Sequence, residues 1–105
     1  MEMVEEIYRI SALLPKEETF SLSSQIRRAA ISVPSNIAEG NSRNSTKEYV
    51  NFLSIARGSN AEVYTQLLIC NRLGYVSKEQ TEKAIKLTEE IGKMINVMIT
   101  KLINK

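Results

Sequence analysis

Residues 45–73 read STKEYVNFLSIARGSNAEVYTQLLICNRL, and this stretch decides the fold. Apolar residues recur in it every three or four positions, which is the spacing of one face of an α-helix. Ser45 followed by Glu48 fits a capping box at the start of a helix, and Gly74 is a typical stop. The sequence therefore predicts one long helix whose buried stripe is Tyr49, Phe52, Leu53, Ala56, Asn60, Val63, Leu67 and Cys70.

Two further helices are predicted ahead of this stretch. The first is short, because Pro15 pushes the preceding residue out of the helical conformation after an apolar stripe of Met3, Ile7, Ile10 and Leu14. The second runs from about Glu17 to Glu39, with Gly40 as its stop. Pro34 lies inside the second helix and predicts a kink there, the alternative being a break into two shorter helices.

A fourth helix is predicted after Gly74. Ser77 and Gln80 form a second capping box, and apolar residues then repeat at helical spacing. The predicted core stripe of this helix is Ala84, Leu87, Ile91, Met94, Met98 and Leu102.

The predicted fold is an all-α, up-down four-helix bundle with a short first helix and a second helix kinked near Pro34. Loops as short as those between the predicted helices favour antiparallel neighbours. The chain has 105 residues, which is enough for one domain, so residues 1–105 are predicted to form a single domain.

The composition argues against an enzyme, a metal site or a cofactor. The chain has no His and one Cys, so Ser-His and Cys-His nucleophile pairs and the usual zinc ligand sets cannot form. Its close carboxylates are sequence neighbours, which point about 100° apart on a helix, and it has no phosphate-binding glycine pattern. Cys70 is interpreted as a packing residue and Asn60 as a polar residue that fixes helix register. We therefore expect a non-catalytic protein without a small-molecule substrate.

The sequence also predicts a cytoplasmic protein that does not enter a membrane. It has no run of about 18 apolar residues, and its acidic first residues, MEMVEEIYRI, do not fit a signal peptide.

Two surfaces of the predicted bundle are too apolar or too uncharged for ordinary solvent-exposed faces. The face of the third helix opposite its core stripe carries no charge, and the end of the fourth helix, MINVMITKLI, is apolar nearly all round. We expect both to bury against other copies of the chain. The alternatives are an uncharged solvent face and a frayed apolar tail. The predicted interface residues are Ser54, Gly58, Ala61, Thr65, Ile95, Ile99 and Ile103.

Basic residues are concentrated in the middle of the chain. Residues 20–60 contain five Lys or Arg against two Glu. If one end of the bundle gathers them, they could bind the phosphates of RNA, and an oligomer would repeat that patch several times. The alternative is ordinary surface charge, with Arg57 paired to Glu39 or Glu62. The candidate nucleic-acid-binding residues are Arg27, Arg28, Arg43, Lys47 and Arg57.

The run QIRRAAISVPSNIAEG, residues 25–40, resembles the four-helix bundle family of 23S rRNA intervening-sequence proteins. The resemblance continues through Ser59, Glu62 and Gln66–Tyr75. It implies a ring-like homo-oligomer, typically a pentamer, without enzymatic activity. The family is also similar to the accessory proteins of diversity-generating retroelements, which engage a reverse transcriptase and its RNA. Family members usually carry a longer first helix than the one predicted here.

Together these observations predict an oligomeric, non-catalytic bundle that binds RNA or an RNA-protein complex through its basic middle. The alternative is a protein-interaction module that does not bind nucleic acid. Clustering of Arg27, Arg28, Arg43 and Lys47 on one outer surface favours RNA. Dispersal of these residues into contacts within the chain favours a protein partner.

Overall fold

The structure, a computed structural model, describes residues 1–104 and is built from four α-helices. These are α1 (Glu2–Ser11), α2 (Leu22–Asn41), α3 (Thr46–Arg72) and α4 (Lys78–Ile103), and a single turn of 3₁₀ helix, Lys16–Glu18, lies between α1 and α2. The all-α fold, the four helices and the short first helix are confirmed.

The helices form a bundle in which α1 and α3 occupy opposite corners. α3 packs against α2 and α4, and α1 packs against the same two helices from the other side. Within residues 1–104, α1 does not pack on α3, and α2 does not pack on α4. The core runs along the middle of a body that is 46 Å long.

The predicted caps of α3 and α4 are present. Ser77 Oγ accepts from Gln80 N at 3.1 Å, and the Gln80 side chain accepts from Ser77 N at 2.8 Å, which completes the capping box of α4. Ser45 Oγ accepts from Glu48 N at 3.1 Å at the start of α3. Gly74 follows α3 with a φ of +76°, the left-handed conformation that glycine adopts without a steric cost.

The predicted start of α2 at Glu17 is wrong. α2 begins at Leu22 because the Glu18 carboxylate accepts from Ser21 Oγ at 2.6 Å and from Leu22 N at 3.4 Å, so it acts as the cap from outside the helix. Through Pro34 the helix continues unbroken to Asn41, so the alternative of two shorter helices is also wrong. The kink at Pro34 stays a prediction.

Gly40 is not the stop of α2, as the sequence had suggested, but one of its buried residues. A Cβ atom at this position would lie 2.8 Å from Phe52 Cβ and 2.9 Å from Tyr49 Cδ1. Glycine is therefore required here by the close approach of α2 and α3.

The predicted core stripe of α4 is confirmed at Ala84 and Ile91, but toward the end of the helix the buried face is displaced by one position. Ile95 and Ile99 were predicted to face another copy of the chain, but both lie in the core of the single chain. Met94, which was predicted to be a core residue, is 56% exposed. Thr81 and Thr88 occupy buried positions of this face because Thr81 Oγ1 and Thr88 Oγ1 can hydrogen-bond locally, and apolar spacing alone does not identify such residues.

The α3 stripe is buried as predicted at Leu53, Ala56, Val63, Leu67 and Cys70. Burial raises the pKa of the Cys70 thiol. None of the four helices in residues 1–104 is long and apolar enough to cross a membrane.

Candidate interaction surfaces

Arg27 is held between α2 and α1 and does not project freely into solvent. Its guanidinium lies over the ring of Tyr8, 4.9 Å from the centroid, and Arg27 Nε donates to Ser11 Oγ at 2.6 Å. A guanidinium stacked on an aromatic ring gains cation–π energy and is already partly desolvated. Arg27 therefore fastens α1 to the bundle.

Two more of the predicted RNA-binding arginines are also engaged within the chain. Arg43 lies over the ring of Phe52, 5.0 Å from its centroid, and its Nη2 is 3.6 Å from Glu39 Oε1. Arg57 Nη1 donates to Asn96 Oδ1 of α4 at 3.0 Å. The alternative pairing of Arg57 with Glu39 or Glu62 is not formed in the described residues.

Arg28, Arg43, Lys47 and Arg57 are all exposed, but only Arg28 and Lys47 form neither an ion pair nor a side-chain hydrogen bond nor a cation–π contact within residues 1–104. Arg28 lines a shallow cleft between α2 and α3, beside Glu62. Lys47 lies in the first turn of α3, at the end of the bundle where α2 terminates. With Arg27 near one end of α2 and Arg43 just past the other, the structure does not gather the five cations into one patch.

The outward side of α3 carries a long surface of mostly small and apolar residues, which we call the α3 outer face, and exposed Glu62 is the one charged residue within it. On a helix of 100° per residue these positions share one side. Ile55, Leu68 and Ile69 are 52%, 44% and 41% exposed, and Ile55 and Leu68 were not predicted on this face, although the same register places them there. A Cβ atom at Gly58 would meet nothing within 4 Å, so this face is open. It consists of Asn51, Ser54, Ile55, Gly58, Ala61, Glu62, Thr65, Leu68 and Ile69.

A second apolar surface, bordered on α4 by exposed Glu90 and Lys101, lies on the opposite side of the bundle, where α2 and α4 continue beyond the start of α1. We call it the α2/α4 groove. Met94 is half-exposed there, and Ile31 is 42% exposed. Ile103, the remaining predicted interface residue, is exposed near the end of α4. The groove residues are Ile31, Pro34 and Ala38 of α2 and Met94, Met98 and Leu102 of α4.

Phe20 is the most exposed large apolar side chain of the described residues, at 94%. It lies in the turn before α2, at the end of the bundle that also carries the α3–α4 loop. Sequence analysis missed it, because a single aromatic residue in a turn has no periodicity that would reveal its exposure.

The 3₁₀ turn is tied to the α3–α4 loop by a hydrogen bond from Tyr75 Oη to Glu18 Oε2 at 2.9 Å. Donors from Ser21, Tyr75 and Leu22 hold the pKa of the Glu18 carboxyl below its ordinary value. The same bond to Glu18 raises the pKa of Tyr75, because it favours the protonated hydroxyl.

A shallow cleft between α3 and α4 is lined by Arg57, Asn60, Tyr64, Gly92 and Asn96, among others. Asn60 Nδ2 donates to Thr88 O at 2.8 Å, while Asn60 Oδ1 is buried without a hydrogen-bond partner in residues 1–104. Asn60 thus joins α3 to α4, as expected for a polar residue that fixes register.

The sequence of this chain matches a known protein family. A profile of the family described as 23S rRNA-intervening sequence protein matches residues 1–97. The chain belongs to this family. Family membership agrees with the resemblance carried by residues 25–40, and the match extends across all of α1, α2 and α3 and most of α4.

A solved structure similar to this family member supports the fold. It is the 1.70 Å crystal structure of a protein of unknown function from the S23 ribosomal protein family of Bacteroides thetaiotaomicron VPI-5482. The two chains are 29% identical, the match covers 93% of this chain and 92% of that one, and the TM-score is 0.85. A comparison with curated proteins gives no match.

Proposed function

We propose that this protein is a non-catalytic scaffold that assembles with copies of itself. The observation that carries the proposal is the α3 outer face, an exposed helix surface with three large apolar side chains and a single charged residue, Glu62, among them. Contiguous apolar surface of this kind marks sites of protein–protein contact. A solvent-exposed helix normally carries Lys and Glu along its whole length, whereas Glu62 is the one charged residue between Ile55 and Ile69 on this side of α3.

The experiment is sedimentation velocity over a hundredfold range of protein concentration, beside the variants Ile55→Lys and Ile69→Lys. We expect the wild-type chain to sediment as an oligomer, with a pentamer as the specific expectation from the family resemblance. We expect each variant to shift toward one chain of 11.9 kDa. A wild-type chain that stays monomeric at the highest concentration would refute the proposal.

We further propose that the assembled protein binds RNA or an RNA-protein complex. The description of its family refers to 23S rRNA, and Arg28 and Lys47 are exposed and free of ion pairs in residues 1–104. One chain offers only these two free candidates, so binding would depend on their repetition around an oligomer. The competing candidate is a scaffold with a protein partner alone, which the engagement of Arg27, Arg43 and Arg57 within the chain favours.

Fluorescence anisotropy with a labelled RNA at two salt concentrations separates these candidates. RNA binding through phosphates weakens steeply as salt rises, and we expect Arg28→Ala with Lys47→Ala to weaken it further. The matched control is Lys78→Ala at the start of α4, which removes one exposed cation that likewise forms no ion pair in residues 1–104. An intact oligomer that binds no RNA even at low salt would leave the protein partner as the function.

A further inference from the structure

Phe20 is presented to solvent by a turn whose backbone is hydrogen-bonded on both sides of it. Thr19 N donates to Lys16 O at 3.1 Å, and Ser21 N donates to Glu18 O at 3.1 Å. Phe20 itself is 94% exposed, so this aromatic side chain makes almost no contact within its own chain.

Aromatic side chains anchor many protein interfaces, because they supply a large contact area from a side chain with few torsion angles. The turn around Phe20 is already ordered, so burial of this side chain against another molecule costs little further conformational entropy. Phe20 is therefore suited to fill a pocket on a partner.

A pocket of about 620 Å³, which we call the end pocket, lies at the loop that joins α3 to α4. Its walls include the apolar Leu68 and Val76, and Gly74 has no side chain that would close it. Asn71 Nδ2 donates to Val76 O and Ser77 O at 3.2 Å each, so the loop that shapes the pocket is fixed. Clefts of roughly 300 to 1,000 Å³ hold drug-sized ligands, and the end pocket is therefore large enough for a phenyl ring.

Phe20 and the end pocket lie at the same end of the bundle but on opposite sides of it. The hydrogen bond from Tyr75 to Glu18 joins the turn before α2 to the α3–α4 loop, which places both at one height. Phe20 belongs to the connection between α1 and α2, whereas the end pocket lies between α3 and α4. Within residues 1–104 the helices pack only around the square α1, α2, α3, α4, so these two edges are opposite each other. One chain thus presents the side chain and the pocket to two different neighbours.

We propose that Phe20 of one copy of this chain inserts into the end pocket of a second copy. This inference rests on the proposed self-assembly and identifies one of its contacts. Leu68 lines the end pocket and also belongs to the α3 outer face. The end pocket is therefore continuous with the surface on which the proposed self-assembly is based.

The charges around the two partners are complementary. Arg72 and Lys78 line the end pocket, and no carboxylate of the described residues lines it. The 3₁₀ turn beside the inserted side chain carries Glu17 and Glu18 against Lys16. Within residues 1–104, Arg72, Lys78 and Glu17 form no ion pair, so the turn of one copy can meet the rim of another. Exposed charges of this kind orient an interface more than they hold it together, so the apolar insertion is the main contact.

The contact joins two different surfaces, so the interface is heterologous. Each copy inserts its Phe20 into one neighbour and receives the Phe20 of the other neighbour. Because both surfaces lie at one height on opposite sides of the bundle, repeated contacts place the copies side by side, as in a closed ring.

Sedimentation velocity of the variant Phe20→Ser tests the inserted side chain. Phe20 is almost fully exposed in one chain, so we expect the variant to fold with wild-type circular dichroism. We expect the protein concentration at half-assembly to rise about tenfold or more, because loss of an aromatic anchor weakens an interface by at least this factor. The matched control is Leu13→Ser, which removes another exposed apolar side chain from the same end of the bundle and should assemble like wild type.

Disulfide cross-linking tests where the turn docks. One chain carries Thr19→Cys beside Phe20, and a second chain carries Arg72→Cys at the end pocket; both positions are exposed, and the native Cys70 is buried. We expect mild oxidation of an equimolar mixture to give a covalent dimer of the two different chains, identified by mass spectrometry, and each variant alone to give none. In the control mixture Thr100→Cys, an exposed position toward the opposite end of the bundle, replaces Arg72→Cys and should not cross-link.

The outcomes separate this contact from self-assembly as such. A wild-type chain that stays monomeric removes the proposed function and this contact with it. A wild-type oligomer that Phe20→Ser leaves unchanged, or in which Thr19→Cys and Arg72→Cys do not cross-link, overturns the contact alone. Cross-linking of Thr19→Cys with itself means that two turns pair with each other, and it overturns the end pocket as the partner.

Discussion

Asn60 is the residue that links the two longest helices through a polar bond in the core. Its amide nitrogen donates to Thr88 O, and its amide oxygen has no partner in residues 1–104. The hydrogen bond between Asn60 and Thr88 can form only when α3 and α4 are aligned in this one register. Its cost is a buried amide oxygen that no donor of residues 1–104 satisfies.

We expect Asn60→Asp to lower the free energy of unfolding by about 3 kcal/mol or more, because it places a carboxylate against the Thr88 carbonyl. Asn60→Leu should stay within about 1 kcal/mol of wild type, since it removes the hydrogen bond and the unpaired oxygen together. Urea unfolding at pH 7 measures both. Equal destabilisation by the two variants would contradict this account of Asn60.

Arg27 and Arg28 are neighbours in the sequence with different roles in the structure. Arg27→Ala should destabilise the protein by about 1 to 2 kcal/mol, because it removes the contact with Tyr8 and the bond to Ser11. Arg28→Ala should change stability by no more than about 0.5 kcal/mol. Hydrogen exchange of the α1 amides provides a second measurement, and only Arg27→Ala should increase it.

At the scale of the helices, Gly40 fixes how closely α2 approaches α3. Gly40→Ala should cost about 1 to 3 kcal/mol, because the added carbon would overlap Phe52 and Tyr49. Gly58→Ala, in open space on a neighbouring helix, should instead stabilise the chain by about 0.5 to 1 kcal/mol through helix propensity. Thermal unfolding compares the two. Stabilisation by both substitutions would mean that α2 and α3 can separate without cost.

The bond between Tyr75 and Glu18 ties two connecting segments together over a limited pH range. The lowered pKa of Glu18 means that its contribution is present above its ordinary value near 4.5 and is lost as the pH falls through the folded-state value. The raised pKa of Tyr75 means that its contribution is present below 10 and is lost as the pH rises through the folded-state value.

We therefore expect Tyr75→Phe to be less stable than wild type at neutral pH and to lose less of its stability toward both acid and alkali. Urea midpoints measured from pH 3 to 11 check this expectation. Tyr64→Phe is the control, since the Tyr64 hydroxyl has no hydrogen bond within residues 1–104. Parallel curves for wild type and Tyr75→Phe would contradict it.

Helix caps and the α3 stripe were predictable from the sequence, whereas the α4 face and the start of α2 were not. Ser77, Gln80 and Gly74 act locally, so their roles follow from spacing alone. The α4 face depends on which neighbours it meets, and buried threonines blur its periodicity. Glu18 caps α2 from outside the helix, through contacts that need the folded turn.

At the scale of the whole molecule, the interaction surfaces were likewise predictable only where they depend on local sequence. Sequence analysis identified a face of α3 rich in small and apolar residues, because that depends only on helix register, but it overlooked Glu62 on the same face. It did not foresee that Arg27, Arg43 and Arg57 would be engaged by Tyr8, Phe52 and Asn96, since each partner lies on another helix or in another segment.

If assembly stabilises the folded chain, its unfolding temperature must depend on protein concentration. We expect the midpoint temperature to rise by a few degrees for each tenfold increase in protein concentration. The reason is that only folded chains associate, so a higher concentration stabilises the folded state. Gly58→Glu should unfold at a temperature independent of concentration. Differential scanning calorimetry at three concentrations measures both, and a constant wild-type midpoint would argue against assembly.

Cys70 is the only cysteine of the chain, and it lies fully buried on the core side of α3. Burial raises the pKa of its thiol, so it reacts slowly with maleimides at neutral pH while the protein is folded. A cysteine introduced on an exposed residue can therefore be labelled selectively without replacing the native one. If one batch carries a donor dye and another an acceptor dye, energy transfer after mixing would report the exchange of subunits. The core of the protein stays unmodified in this experiment.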